Sequence, residues 1–232
     1  MLQSDQDRIW EAFQGGSADA FAASRGRLAY LARRVRGEGR VLNIGVGGGQ
    51  FEEEALARGI EVHSLDPSQA AIEKLRKRLG LTAERACVGH AQQIPFADGF
   101  FGAVVASELL EHLEPAEVPG VLAEISRVLA PGGLLAGTVP ARENLAEQRV
   151  ICPHCGEEFH RWGHRQAFDP AKLRQLLSAN FEIEQLRETP FVTWRTLNWK
   201  GRLIGFAKLL LWRLGVHGSG ESILFEGRRR LG

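Results

Sequence analysis

Val41-Leu42-Asn43-Ile44-Gly45-Val46-Gly47-Gly48-Gly49-Gln50-Phe51 passes from a short β-prone run into a glycine-dense turn, and Glu52, Glu53 and Glu54 follow on a helical pattern. The reading is a strand, a tight loop and a helix N-terminus. Glycine reaches positive φ without penalty, and its missing side chain lets a ligand touch the backbone. A helix N-terminus behind the loop offers unpaired N–H groups to a carboxylate or phosphate. A dinucleotide loop spaces its glycines G-x-G-x-x-G. Counted from Gly45 and Gly47, the third glycine of that pattern falls on Gln50. The loop is instead G-x-G-x-G, with polar Asn43 two places ahead of it. A nicotinamide or nucleotide-sugar enzyme is therefore disfavoured.

Outward from the loop, strands and helices alternate. Residues 50–59 form a helix stopped by Gly59, and Ile60 to Leu65 alternates like a strand ending on Asp66. Pro67 and Ser68 open an amphipathic helix with Ile72, Leu75 and Leu79 on its core face and Gly80 as its stop. An acid about 20 positions beyond the first glycine is placed to accept hydrogen bonds from two vicinal ribose hydroxyls. The same carboxylate could instead cap the next helix. Further strands are expected over 82–88, up to Ser107, over 134–140 and over 181–187, with helices over 117–129 and 168–178. This order implies a parallel sheet that takes ligands at its strand C-termini.

The glycine loop, with Ser64-Leu65-Asp66-Pro67, resembles motifs I and II of the class I S-adenosylmethionine (SAM) methyltransferases. The run Gly89-His90-Ala91-Gln92-Gln93-Ile94-Pro95-Phe96 resembles that family's adenine-contact segment. Leu129-Ala130-Pro131-Gly132-Gly133-Leu134 is another match, and Ser222-Ile223-Leu224-Phe225-Glu226 resembles its closing antiparallel strand. The resemblance is continuous from Val41 to about Pro140. It implies an α/β, Rossmann-like, seven-stranded and mostly parallel sheet with the last strand antiparallel. It also implies SAM as cofactor and transfer of its methyl group to an oxygen or nitrogen nucleophile. By the same resemblance Asn43, Gly45, Gly47 and Gly49 hold the amino-acid part, Asp66 and Pro67 the ribose, and Ala91 and Gln92 the adenine edge. Ser107 closes the site at the end of the fourth strand. His112, His160 and Glu143, in that order, are the candidate bases for a hydroxyl acceptor. At three positions the family's usual carboxylate is replaced, by Asn43, His90 and Gly102.

Two candidate metal sites can be read in the sequence. Cys152-Pro153-His154-Cys155-Gly156, with His160 and His164, has the spacing C-x2-C-x4-H-x3-H of a compact zinc knuckle. Two thiolates and two imidazoles would complete a closed site and rigidify a polar insertion. Alternatively, Glu108, Glu111 and His112 share one face if the segment is helical. That segment resembles the E-x-x-E-H metal motif of small-RNA 2′-O-methyltransferases and some ubiquinone-pathway O-methyltransferases, in which a later histidine, here His164, completes the site. The two sites compete for His164, and the zinc knuckle is the favoured reading.

The 232 residues carry a net charge of +1, so nucleic acid is not an expected partner. One domain is expected: a helical cap over 1–36, a SAM-binding core over 37–140, the Cys/His insertion over 141–168 and a C-terminal part over 169–232. Ile9, Trp10, Phe13, Phe21, Leu28, Leu31 and Val35 give the cap its helical spacing. The N-terminus lacks a signal-peptide pattern, and three cysteines fit a reducing cytoplasm. The stretch 189–220 has no acid but carries Arg195, Lys200, Arg202, Lys208 and Arg213 among Trp194, Trp199, Phe206 and Trp212. It reads as a helix packed on the domain or in a homodimer, or as one lying at the inner face of a membrane over a lipid-linked acceptor. Arg228-Arg229-Arg230 reads as a solvated tail. The rival function is a non-catalytic scaffold that binds a partner, RNA or membrane through the knuckle and the basic segment.

Overall fold

Hydrophobic alternation along the strands sorts the core onto two faces of one sheet. The computed structural model describes residues 24–194, 197–218 and 220–231. Its strands are β1 (Val41–Ile44), β2 (Val62–Asp66), β3 (Ala86–Val88), β4 (Phe101–Ser107), β5 (Leu129–Pro140), β6 (Arg149–Ile151), β7 (Glu158–His160), β8 (Phe181–Pro190) and β9 (Glu221–Arg229). Its helices are α1 (Arg25–Arg34), α2 (Gln50–Leu56), α3 (Gln69–Leu79), α4 (Val118–Val128), α5 (Pro170–Leu177) and α6 (Trp199–Arg213). The main sheet has the order β3-β2-β1-β4-β5-β9-β8. β9 runs antiparallel to both of its neighbours, and the other pairs are parallel. This is the expected seven-stranded, mostly parallel sheet with its last strand reversed.

Val41, Ala103, Val105, Leu134 and Leu224 pack on one face against Leu31 and Ala32 of α1 and Phe51 and Ala55 of α2. Leu42, Val104, Leu135 and Phe225 pack on the other, against Val121, Leu122 and Ile125 of α4 and Leu173 and Leu177 of α5. The period-2 alternation of the strand residues is what sends neighbours to opposite layers. Helix starts follow the sequence signals. Ser68 Oγ accepts from Ala71 N–H at the start of α3, and Asp169 accepts from Lys172 N–H ahead of Pro170 at the start of α5.

Three expectations change, and one falls largely outside the described residues. Residues 1–23, with Ile9, Trp10, Phe13 and Phe21 of the expected cap, lie outside the described residues; α1 is the part of the cap that is described. The segment Glu108–His112 is not α-helical: Glu108 has φ +54°, and a single 3-10 turn spans Leu110–His112. The insertion folds as its own hairpin, β6 against β7, with the two cysteines at its tip. Arg228 and Arg229 are not a solvated tail but the end of β9. Arg228 makes a two-pronged ion pair with Glu38 at 2.7 Å, and Arg229 donates to the Leu129 carbonyl. Arg195 also lies outside the described residues.

Candidate functional site

The C-terminal ends of β1, β2, β4 and β5 bring the candidate residues to one edge of the sheet. Gly45, Gly47 and Gly49 have φ of +84°, +49° and +76°, values that only glycine holds without strain. A Cβ at Gly45 would meet no atom within 4 Å, so the loop leaves open space beside its backbone. Asp66, buried at the end of β2, clamps this loop: its Oδ2 accepts from Val46 N–H and its Oδ1 from Ser68 N–H, each at 2.8 Å. Asp66 therefore fixes both the glycine turn and the start of α3. Each carboxylate oxygen has capacity for a further hydrogen bond beside these two. Pro67 sits exposed between Asp66 and Ser68.

Glu52 was not singled out from the sequence, and it is the most unusual group of this region. It is fully buried in the first turn of α2. Its Oε1 accepts from Asn43 Nδ2 at 2.8 Å and from Ser64 Oγ at 2.9 Å, while Oε2 has no hydrogen-bond partner. Asn43 Nδ2 also donates to the Gly45 carbonyl at 3.2 Å. A carboxylate thus stands against the position where the family's motif I usually carries one, supplied from the next helix. The signal was the glutamate triplet after the loop, of which Glu52 alone is turned fully inward. Burial pushes the Glu52 carboxyl up to about 7 from an ordinary 4.5, against the lowering effect of the Asn43 and Ser64 hydrogen bonds.

A pH prediction follows from that group. Its folded-state pKa stands above its unfolded one, so the folded chain binds the extra proton and stability falls as pH rises from about 4.5 to about 7. Glu52→Gln removes this contribution. The wild type is expected to lose about 3 kcal/mol relative to the variant between pH 4.5 and 8, the size of a shift of that extent. Urea midpoints of the two proteins across this range measure it, and parallel pH profiles would refute it.

After β3, Ala91 is buried, and the Gln92 amide donates to Glu117 Oε1 at 3.0 Å. Ser107 Oγ, 2.9 Å from Thr138 Oγ1, accepts from Arg27 Nε of α1 at 3.1 Å. Arg27 also faces Glu108 at 3.7 Å, so the first turn of α1 touches the end of β4.

Beyond β4 and β5 the structure gathers Glu111, His112, Glu143, His160 and His164. Ligand atoms of Glu111, His112 and His164 lie within 4.8 Å of one another, as do those of Glu143, His160 and His164. His164 Nδ1 lies 2.7 Å from both Glu143 oxygens. Burial, with His164 beside it, pushes His112 down to about 3. Burial therefore disfavours the protonated form of His112. His160 is also shifted down, by burial and by His164. Burial and the neighbouring Glu108 hold the Glu111 carboxyl well above the usual range.

The cysteines stay apart from this group. Among the described residues no cysteine belongs to a cluster of converging ligand atoms. Cys155 is exposed and Cys152 half-buried at the hairpin tip. His160 pairs with Arg149, the third rung from that tip, which at about 3.3 Å per residue sets it roughly 10 Å away. The C-x2-C-x4-H-x3-H set is thus divided by the β6–β7 ladder, and His160 and His164 turn to Glu143 instead. Glu108 also leaves its expected set: its Oε1 accepts from Ser222 Oγ at 3.4 Å and faces Arg27.

A seven-stranded sheet with a reversed strand, and a glycine turn clamped by the acid that ends β2, make a Rossmann-like fold shared with solved methyltransferase structures. Residues 42–137 match the family model described as "Methyltransferase domain". The chain is 32% identical over 158 residues to an uncharacterized methyltransferase of Mycobacterium tuberculosis; the match covers 68% of this chain and 59% of that relative. It is 29% identical over 217 residues to the malonyl-[acyl-carrier protein] O-methyltransferase of Serratia marcescens, covering 92% and 77% of the two chains. Among solved structures, the PH0226 protein of Pyrococcus horikoshii superposes with a TM-score of 0.65 at 18% identity, over 98% of this chain and 100% of that one. The 1,6-didemethyltoxoflavin-N1-methyltransferase of Burkholderia thailandensis, solved with S-adenosylhomocysteine, superposes with a TM-score of 0.64 at 17% identity, over 97% and 87%.

Proposed function

We propose that this chain transfers the methyl group of SAM to an oxygen or nitrogen nucleophile of a small-molecule, glycan-linked or lipid-linked acceptor. The observation that carries the reading is the glycine turn clamped by Asp66 within a matched methyltransferase domain. Bound SAM supplies a methyl group on a positively charged sulfur, which leaves as a neutral thioether. The glycine turn receives the amino-acid part in the open space beside Gly45. Asp66 orients the ribose, and Ala91 with Gln92 borders the adenine. The acceptor sits at the ends of β4 and β5, where the Glu111–His112–Glu143–His164 group can hold or move its proton. Alignment of the acceptor's lone pair with the carbon–sulfur bond, and exclusion of water, are the protein's main contributions.

Calorimetric titration with SAM and S-adenosylhomocysteine tests the reading. Micromolar binding followed by methyl transfer to an acceptor from a screen supports it. A folded protein that binds neither ligand would return the scaffold reading, which the domain match and the relatives do not favour.

A membrane-facing role for α6 rests on separate observations. Trp199, Leu203, Ile204 and Phe206 are each more than 60% exposed, and no acidic residue falls between 189 and 220. No described helix is long and apolar enough to cross a membrane. A Trp-bearing apolar helix with Lys200, Arg202, Lys208 and Arg213 suits an anionic bilayer surface. The chain is expected to sediment with anionic vesicles and not with neutral ones, and to lose that binding in Leu203→Glu/Ile204→Glu. A concentration-dependent dimer that the same substitutions split would assign the face to a second copy instead.

A further inference from the structure

The tip of the β6–β7 hairpin has no part in methyl transfer as read above. Cys152 and Cys155 stand there, three residues apart on the closing turn. Cys152 N–H donates to the Glu157 carbonyl at 2.8 Å, and Gly156 N–H donates to the Cys152 carbonyl at 2.9 Å. Gly156 has φ +76°, and a Cβ there would meet no atom within 4 Å, so glycine serves the backbone conformation and not a close approach. This turn aims hydrogen-bond donors at sulfur. Bonds from the Cys155 and His154 backbones, and from the Cys155 side chain, favour the Cys152 thiolate and hold its pKa below the ordinary value. The thiolate is the form that binds metal. Two sulfurs near enough to share a hydrogen bond are thus presented at the surface, with Cys155 exposed and Cys152 half-buried.

A thiolate-bound zinc ion takes four ligands, and this turn offers two. The rest of the chain has no cysteine or histidine to add. Its 3 cysteines and 7 histidines all fall among the described residues, and no group of three converging ligand atoms there includes Cys152 or Cys155. His154, between the two cysteines, does not converge with them either. Cys87 lies in β3 and His90 just after it, four strand spacings, about 19 Å, from β5. His63 packs among Phe96, Phe100 and Phe101, and His217 bonds Glu221 at 2.9 Å. His112, His160 and His164 belong to the Glu111–Glu143 group. The missing ligands therefore have to come from another chain. The tip is also apolar for so exposed a place: Val150 and Phe159 pair across the ladder with 37% of each exposed, and Ile151, next to Cys152, is 63% exposed.

We propose that Cys152 and Cys155 are half of a zinc site, which a second copy of this chain completes with its own Cys152 and Cys155, so that one ion joins two hairpins tip to tip. A two-fold axis through the ion lets one surface patch meet itself, each copy giving the same two sulfurs. Four thiolates make a closed tetrahedral site, structural and not catalytic. Val150, Ile151 and Phe159 of both hairpins then stand beside the joint, where burying them adds to the hold of the metal. The set differs from the knuckle read in the sequence: His160 and His164 drop out, and two sulfurs of the second copy take their place. Zinc binding here does not depend on the methyl-transfer reading.

The test uses the full chain, stripped with a chelator, kept reduced and titrated with Co²⁺, then with Zn²⁺. One Co²⁺ per two chains is expected, with a near-ultraviolet thiolate band and the visible bands of a tetrahedral site. Sedimentation velocity is expected to show a monomer after chelation and a dimer with Zn²⁺. Cys152→Ser and Cys155→Ser are each expected to weaken Zn²⁺ binding by at least about 100-fold and to abolish the metal-dependent dimer. Both changes lie on a surface turn, so their metal-free melting points should equal that of the wild type, which separates lost ligation from lost folding. His154→Ala is expected to keep both the binding and the dimer. Absence of saturable Co²⁺ binding overturns the proposal, as does one ion per chain on a monomer. Zn²⁺ binding that leaves the state of association unchanged overturns it too. Binding of S-adenosylhomocysteine, measured separately, reports on the methyl-transfer reading, so either can fail without the other.

Discussion

Asp66→Ala is expected to weaken S-adenosylhomocysteine binding by about 100-fold or more, because two backbone N–H groups lose a charged acceptor and each such bond is worth about 1.5–3 kcal/mol. The loss is double. Val46 N–H and Ser68 N–H both end on this carboxylate, so alanine frees the glycine turn as well as removing the acceptor proposed for the ribose. Asp66→Asn is the sharper variant. It keeps the shape but turns one acceptor oxygen into an N–H₂ group, which must then face a backbone N–H. We expect it to lose at least about ten-fold in affinity, one unsatisfied buried donor being worth about 1–3 kcal/mol. Titration calorimetry of the three proteins, with melting points as the check on folding, decides the matter. An Asp66→Asn protein that binds like the wild type would mean that Asp66 does not serve the cofactor.

How much of this was legible in the sequence depends on whether the signal was local. The glycine turn, the strand ending on Asp66, the helix start at Ser68 and the order of strands and helices were all readable, because each rests on residues within a few positions of one another. The seven-stranded sheet with its reversed last strand came with the family resemblance. The site between residues 108 and 164 was only half legible. Spacing alone put His160 and His164 with Cys152 and Cys155, yet the cross-strand register Arg149↔His160 carries His160 away from the hairpin tip. A helix was assumed for Glu108 to His112, yet the positive φ of Glu108 and the 3-10 turn after it separate Glu108 from Glu111. Glu143 was named as a base; its contact with His164, 21 positions later, is a tertiary fact without a spacing rule. Glu52 was missed because a glutamate in the first turn of a helix ordinarily serves the helix dipole from the surface. Here the strand partners Asn43 and Ser64 draw it inward.

Restoring the family's aspartate at position 102 is expected to carry a large cost in stability. In sequence Gly102 looks like a lost functional acid, beside Asn43 and His90. The structure gives it a steric reason. A Cβ on Gly102 would lie 1.4 Å from the carbonyl oxygen of Glu38 and 2.7 Å from its carbonyl carbon. Both are backbone atoms, so no side-chain rotation relieves the clash. The Glu38 segment cannot readily retreat either. Its side chain is gripped by Arg228 at 2.7 Å through two hydrogen bonds, its N–H is bonded to the Val35 carbonyl, and Gly102 N–H donates to the Arg40 carbonyl at 2.9 Å. Gly102→Ala therefore has to push the α1–β1 connection off β4, and a loss of about 4 kcal/mol or more is expected, the range reserved for gross steric conflict. Gly102→Asp should be worse, with a charge added at a crowded, half-buried position. Urea unfolding reads the effect, and a Gly102→Ala midpoint within about 1 kcal/mol of the wild type would refute it. The outcome also bears on the three replaced carboxylates. If Gly102 is held by the Glu38 carbonyl and Asn43 is matched by the buried carboxylate of Glu52, then two of the three departures are local solutions of packing and charge. Only His90, exposed and without a structural account, is then left to argue against a working cofactor site.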